Sequence, residues 1–150
     1  MITGISTVCA TLVILFTAIF AACQLREISK SRRFTSFMNL SQFLQRDETR
    51  KARGILIALS GKDFKDWSQE EIGQAEKACS TYDVAGIAVC KNLIEKDLVV
   101  DEWRDSLIKC WEAAKPLIMK YRKTRGKDFW NDFEELYEAA KKIEVPHNRV

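Results

Sequence analysis

No charged residue occurs between Met1 and Gln24, MITGISTVCATLVILFTAIFAACQ. The next ten residues, LREISKSRRF, carry Arg26, Lys30, Arg32 and Arg33 against Glu27 alone. Beyond them the pattern changes. Apolar positions recur at three-to-four spacing, and no stretch alternates with the period of two that marks a half-buried strand. The pattern predicts an all-α protein: one N-terminal transmembrane helix over 1–24, then a cytoplasmic helical domain over 25–150 with about four or five helices.

The uncharged stretch has the length a membrane asks for. A helix rises about 1.5 Å per residue and the hydrocarbon core is about 30 Å thick, so roughly 20 apolar residues span it. Ile5 to Gln24 meets that length, and the hydroxyls of Ser6, Thr7, Thr11 and Thr17 can bond back to their own helix. No Lys or Arg precedes the span and four follow it closely, which places the short N-terminal tail outside and the remaining chain in the cytoplasm. Arg26, Lys30 and Arg33 share one helical face, suited to anionic headgroups. The rivals are a cleaved secretory signal, a lipoprotein signal, since Phe20-Ala21-Ala22-Cys23 resembles a bacterial lipobox, and a core helix of a soluble protein. Both signals lack a basic segment ahead of them, the Arg/Lys cluster just downstream argues against export, and a core helix is seldom this long without charge. Thr7/Thr11 and Ala18/Ala22 are small residues four apart, a weak signal for helix self-association.

Nothing breaks a helix from Leu25 to Arg46, so the membrane helix either continues as one rod or bends near Ser29 to Ser31. Asp47 is the expected N-cap of a helix from Glu48 to Leu59, stopped by Gly61 and flanked by Arg50 and Arg53. Phe64 and Trp67 anchor a short link. Ser68-Gln69-Glu70-Glu71 has the pattern of a capping box. The helix it opens runs to about Leu93, with Ile72, Ala75, Cys79, Tyr82, Gly86, Val89 and Leu93 on its apolar face. Gly86 on that face predicts a close approach by another helix. Asp97 is the expected cap of the next helix, Leu98 to about Lys123. There Leu98, Trp103, Leu107, Trp111, Leu117 and Tyr121 face inward and Pro116 should introduce a kink. After Gly126, Asp128 is expected to cap the last helix, with Phe129, Phe133, Leu136, Tyr137 and Ala140 inward and Glu134, Glu135, Lys141 and Lys142 outward.

Composition adds few candidates for chemistry. Net charge is +3, which argues no case for nucleic acid, and the basic cluster is explained by topology. The five cysteines, Cys9, Cys23, Cys79, Cys90 and Cys110, include no C-x-x-C pair. Their odd count suits a reduced compartment, with burial as small hydrophobes the default. The single His147 lies in the tail past Pro146, and the glycines form no phosphate loop. The expectation is therefore no catalytic, cofactor-binding or metal-binding set, and no enzyme. Asp83, beside Tyr82, is the one carboxylate that stands out. It either belongs to a binding site with Arg53, Tyr82 and Trp103, or pairs with Arg50, Arg53 or Arg104 at a helix interface. The second is favoured because a half-buried charge needs a partner. Trp103 and Trp111 read as core rather than as the floor of a groove.

The order of these features resembles a bacterial family of uncharacterised membrane-anchored proteins, domain-of-unknown-function family forty-seven-sixty. The residues that carry the resemblance are the N-terminal span, Ser31-Arg32-Arg33-Phe34, Arg50-x-x-Arg53, Tyr82-Asp83-x-x-Gly86 and Leu93-Ile94. They continue with Trp103, Trp111, Leu117-Ile118, Arg122 and Phe133-Glu134-Glu135-Leu136. The resemblance implies a membrane-tethered helical domain and supplies no activity. The expected function is a single-pass protein of the bacterial inner membrane whose cytoplasmic domain binds an unknown protein partner or itself. The alternatives are a ligand sensor or enzyme with a pocket around Arg53, Tyr82, Asp83 and Trp103, and an anionic-lipid-binding accessory protein using Arg26, Lys30, Arg32 and Arg33.

Overall fold

A computed structural model describes residues 2–143, with side chains from Leu12 onward. The helices are α1 (Ile2–Gln45), α2 (Asp47–Ala58), α3 (Gln69–Cys90), α4 (Lys96–Arg125) and α5 (Asn131–Lys142), with a 3-10 turn at Phe64–Asp66 between α2 and α3. No strand occurs among the described residues, and the chain is all-α. It divides into two compact units, Met1–Thr35 and Ser36–Val150, with α1 contributing to both. The side chains of Thr7, Cys9 and Thr11, and the tail with Pro146 and His147, lie outside the described residues.

In the first unit, residues 29–31 are helical like their neighbours. The hydroxyls turn inward along the helix: Thr17 Oγ1 donates to the Val13 carbonyl at 2.8 Å and Ser29 Oγ to the Leu25 carbonyl at 2.9 Å. A polar side chain that bonds its own helix in this way presents no unmet donor to lipid. Leu12, Val13, Ile14, Leu15, Phe16, Ile19 and Phe20 are all exposed, Phe16 by 74%. The helix is long and apolar enough to cross a membrane, and none of its apolar window is buried. Burial in a protein core therefore does not account for these apolar residues.

The second unit is a bundle with α3 at its centre, packed on α2, α4 and α5; α4 also packs on α2 and α5. Its fully buried large side chains include Leu44, Leu56, Tyr82, Leu107, Leu117, Phe133 and Leu136. Most of the expected apolar faces are buried as the periodicity predicts. Leu93 and Leu98 are exceptions, both exposed. The helix α3 stops at Cys90, and Asn92 adopts a left-handed φ of 55°. The turn carries Leu93 outward and buries Ile94 instead. At the start of α4 the buried pair is Val99 and Val100.

Helix starts divide in the same way. The capping box is present: Ser68 Oγ accepts from the Glu71 N–H at 3.1 Å, and Glu71 Oε2 accepts from the Ser68 N–H at 2.6 Å. Asp47 and Asp97 are not caps. They sit in the first turns of α2 and α4, where the helix dipole favours a carboxylate without any bond to it. The helix α5 begins after Trp130, held at φ 58°, and Asp128 lies in the preceding turn, its carbonyl accepting from the Asn131 N–H at 3.1 Å. The helix α4 runs through Pro116 without interruption.

Glu71 also accepts from Lys62 Nζ at 2.8 Å, and the Lys62 and Ser68 donors hold its carboxyl below the ordinary value of 4.5. A lowered acid contributes stability that is present above its unfolded value and lost as pH falls through the folded one. Ser68→Ala is expected to cost about 1 kcal/mol at neutral pH. In urea denaturation, Glu71→Gln should be less stable than the parent at pH 7, with the gap closing as pH falls below the ordinary carboxyl value of 4.5. An unchanged gap would show that the carboxylate charge plays no part.

Candidate functional site

Two of the singled-out charges meet the two ends of helix α5. Its own N-cap, Trp130, offers no side-chain acceptor. Asp83 of α3 supplies one: Oδ1 accepts from the Phe133 N–H at 3.2 Å. One turn along α3, Gly86 meets the backbone of Asp132 so closely that a Cβ would overlap its carbonyl. The close approach expected at Gly86 is present, and Asp83 can reach the first turn of α5 because of it. At the other end, Arg104 of α4 donates from Nε to the Ala140 carbonyl at 2.9 Å and from Nη2 to the Ile143 carbonyl at 3.0 Å. A carboxylate at the N-terminus and a guanidinium at the C-terminus both suit the dipole of α5 and satisfy groups the helix leaves open.

The expected pairing of Asp83 with an arginine is not formed among the described residues. Arg50 lies on the surface, 4.0 Å from Asp47. Arg53 is buried, with 8% exposed; Nη1 donates to the Leu44 carbonyl at 2.8 Å in the last turn of α1, and the guanidinium lies 5.7 Å from the Tyr82 ring centre. Arg53 and Arg104 thus act alike, each capping a helix C-terminus from another helix. The carbonyls attract the arginines because they are acceptors with no partner in their own helix. A third arginine, Arg122, instead bridges the turn before α5 and its first turn, donating to the Phe129 carbonyl at 3.0 Å and to Glu134 at 2.7 Å.

The aromatic residues lie between these ends. Tyr82 stacks on Phe133 with ring centres 5.1 Å apart. Trp111 meets Phe133 edge-on at 5.0 Å and stacks on Tyr137 at 5.4 Å. Trp103 is buried against Phe37, ring centres 5.9 Å apart. Both tryptophans are core. The Tyr82 hydroxyl donates to Ser106 Oγ at 2.7 Å, and Ser106 lies 3.9 Å from Cys110 Sγ. Periodicity gave no signal for Ser106, because its bond is to a residue 24 positions away.

Burial raises the Asp83 carboxyl above its ordinary value, partly offset by the Phe133 N–H. Burial likewise raises Tyr82 and Cys79, and it pushes Cys110 to about 11. Desolvation together with Asp132 and Glu135 pushes Cys90 to about 12. Thiols in this range stay protonated and are poor nucleophiles at neutral pH. Cys79 and Cys110 are buried, whereas Cys23 and Cys90 are exposed, so the default of buried cysteines fails for those two.

Because its folded value is raised, Asp83 contributes stability that is present below the unfolded value and lost as pH rises through the folded one. Asp83→Asn keeps the acceptor and removes the desolvated charge, so it should be at least as stable as the parent at pH 7. Asp83→Ala removes the cap and should cost about 1 kcal/mol. Equal losses in the two variants, measured by urea denaturation, would exclude the capping role.

Arg26, Lys30, Arg32 and Arg33 are all exposed on α1, with Lys30 3.4 Å from Glu27. A shallow groove of about 340 Å³ is lined by Leu25, Arg26, Ser29, Lys30 and Arg33. In the bundle, one cavity of about 540 Å³ lies beside Ile55, Leu59, Lys62 and Glu71, and another of about 580 Å³ beside Lys96, Glu134, Glu135 and Glu138. Neither is lined by Arg53, Tyr82, Asp83 or Trp103. Among the described residues no cluster of three His, Cys, Asp or Glu side chains could hold a metal ion.

No curated protein and no solved structure matches the chain at a significant level. A family model does match, over residues 8–140, which takes in most of the span, the arginines, the Tyr82-Asp83-x-x-Gly86 segment and nearly all of α5. The chain belongs to the family described as Domain of unknown function (DUF4760).

Proposed function

We propose that this protein is a single-pass, membrane-anchored interaction module, with its helical domain held at the cytoplasmic face of a bacterial inner membrane. The observation that carries the reading is the exposed apolar stretch of α1 followed at once, in the same helix, by Arg26, Lys30, Arg32 and Arg33. Such a helix needs an apolar surrounding, and the Lys/Arg bias favours keeping the end that follows the span in the cytoplasm. The bundle then serves as a surface at the membrane. Val84 and Ile87, 50% and 41% exposed, lie one turn apart on the outer side of α3 and give that surface an apolar element.

The sensor or enzyme reading has less support. Its proposed residues already spend their polar atoms within the fold: Asp83 on α5, Arg53 on α1, Tyr82 on Ser106. The interaction reading is tested by extracting the full chain from its membrane in mild detergent and measuring the mass of the particle. A particle heavier than one copy, reduced by Val84→Lys and Ile87→Lys, is expected. A single copy in both parent and variants would overturn it.

A further inference from the structure

One face of α3 is left uncovered by the helices around it. Gly73, Lys77, Ser80, Val84, Ile87 and Lys91 are all exposed, at alternating spacings of four and three residues. At 100° per residue they fall within about 80° of one another, and at 1.5 Å per residue the stripe is about 27 Å long. Alternation of three and four is the spacing at which one helix seats the side chains of another. Val84 and Ile87 supply its apolar contact. Nothing lies within 4 Å of a Cβ placed on Gly73, so this glycine answers no contact inside the chain. It leaves room for the backbone of a docked helix to come close.

Charge selects the partner. The stripe holds two lysines and no acid. Lys77 is already taken, its Nζ donating to Glu48 of α2 at 2.6 Å. Lys91 lies one turn beyond Ile87, about 6 Å along the axis. Its ammonium forms no ion pair or hydrogen bond with any described residue. Glu135 of α5 accepts from the neighbouring Cys90 at 3.4 Å and from Asn131 at 3.3 Å, and does not pair with Lys91. A second copy docked in parallel on the same stripe would oppose lysine to lysine. Antiparallel docking of Val84 on Val84, or on Ile87, would bring Lys91 to Lys77 or to Ser80. None of these arrangements offers Lys91 a carboxylate from the stripe. The complementary partner is a helix that brings its own.

We infer that the outer face of α3 docks an amphipathic helix of another protein, with two apolar residues against Val84 and Ile87 and an Asp or Glu against Lys91. The inference rests on the interaction reading above and names the chemistry of the partner. On that partner the apolar residues stand one turn apart, and the carboxylate lies one turn beyond them.

The test uses the full chain in mild detergent and a labelled helical peptide of about 20 residues, long enough to hold its helix alone. The peptide carries two leucines at the spacing of Val84 and Ile87 and a glutamate one turn to each side, so either direction of docking sets one against Lys91. Two controls carry glutamine or lysine in place of the glutamates. Binding, read by fluorescence anisotropy, should weaken about threefold from glutamate to glutamine and about threefold again to lysine, the size of an exposed ion pair. In Lys91→Glu the order should reverse, a gain that a misfolded chain cannot give. Val84→Lys should weaken all three peptides about tenfold. Lys123→Gln, at an exposed position of α4, should change nothing. The glutamate peptide should also release the companion protein from the particle extracted from its membrane, and the lysine peptide should not. Equal binding of the three peptides, an unreversed order in Lys91→Glu, or no loss in Val84→Lys would overturn the inference. So would an extracted particle made only of copies of this chain, which leaves the interaction reading standing with a second copy as the occupant. A particle of one copy alone would instead defeat the interaction reading itself.

Discussion

Phe133→Ala is expected to lower the stability of the helical domain by about 4 kcal/mol, within the usual range for removing a fully buried aromatic ring. Phe133 has no exposed surface. Its ring is stacked on Tyr82 of α3 and touched edge-on by Trp111 of α4, so one side chain ties three helices together. Its backbone N–H is the group that Asp83 caps. Domains of this size have a total stability of about 5–15 kcal/mol, so the loss would consume much of the margin. Urea denaturation of the detergent-held chain, followed by tryptophan fluorescence, reads the effect. Phe133→Leu keeps most of the volume and should cost less, about 1–2 kcal/mol. A loss below about 1 kcal/mol for the alanine variant would mean that α5 is not docked through this ring.

Gly86→Val is expected to cost about 3 kcal/mol, near the upper end of ordinary overpacking. Any Cβ at position 86 meets the Asp132 backbone, which cannot swing aside as a side chain tip can. Relief requires α5 to move off α3, and that also breaks the Asp83 cap. Gly86→Ala should show a smaller loss, since better helix propensity returns up to about 1 kcal/mol. Gly73, on the same helix, supplies the control. Nothing lies within 4 Å of its would-be Cβ, so Gly73→Ala should stabilise the chain by about 0.5–1 kcal/mol. The same change at two glycines of one helix is thus expected to have opposite signs. Two stabilising results, again by urea denaturation, would refute the close contact at Gly86.

Local pattern carried the sequence reading a long way and failed at identifiable points. The uncharged stretch, the five-helix count, the Ser68–Glu71 box and the buried faces of α3, α4 and α5 all depend on residues close in sequence. Periodicity and capping chemistry capture such features directly. Gly86 was also legible, because a glycine on an apolar helical face has few other reasons to be there. The misplaced caps share one cause. Asp47 and Asp97 have the residue type of a cap but lie one or two positions inside the helix, where the dipole favours them just as well. The start of α5 depends on Trp130 in a left-handed conformation, which its residue type does not advertise.

The candidate site was half legible. Asp83 reads from the sequence as a charge needing a partner, with Arg50, Arg53 or Arg104 as the expected one. That pairing is absent among the described residues; Arg53, Asp83 and Arg104 have other partners. The actual ones are backbone groups at helix ends, 9, 50 and 36 residues away along the chain. A helix terminus offers a concentrated partial charge and an open hydrogen-bonding group, and it needs no second side chain to be buried. Nothing within one helical turn of Asp83 or Arg104 signals which terminus will arrive there. That information exists only once α5 has folded back on α3 and α4.

The anchored, cytoplasmic-domain reading is tested most directly by a reporter fused after Val150 that is active only in the cytoplasm, combined with alkaline extraction of the membranes. A working reporter on a chain that stays with the membrane at alkaline pH is the predicted result. A silent reporter on a stably expressed chain, or a chain washed off by alkali, would contradict it.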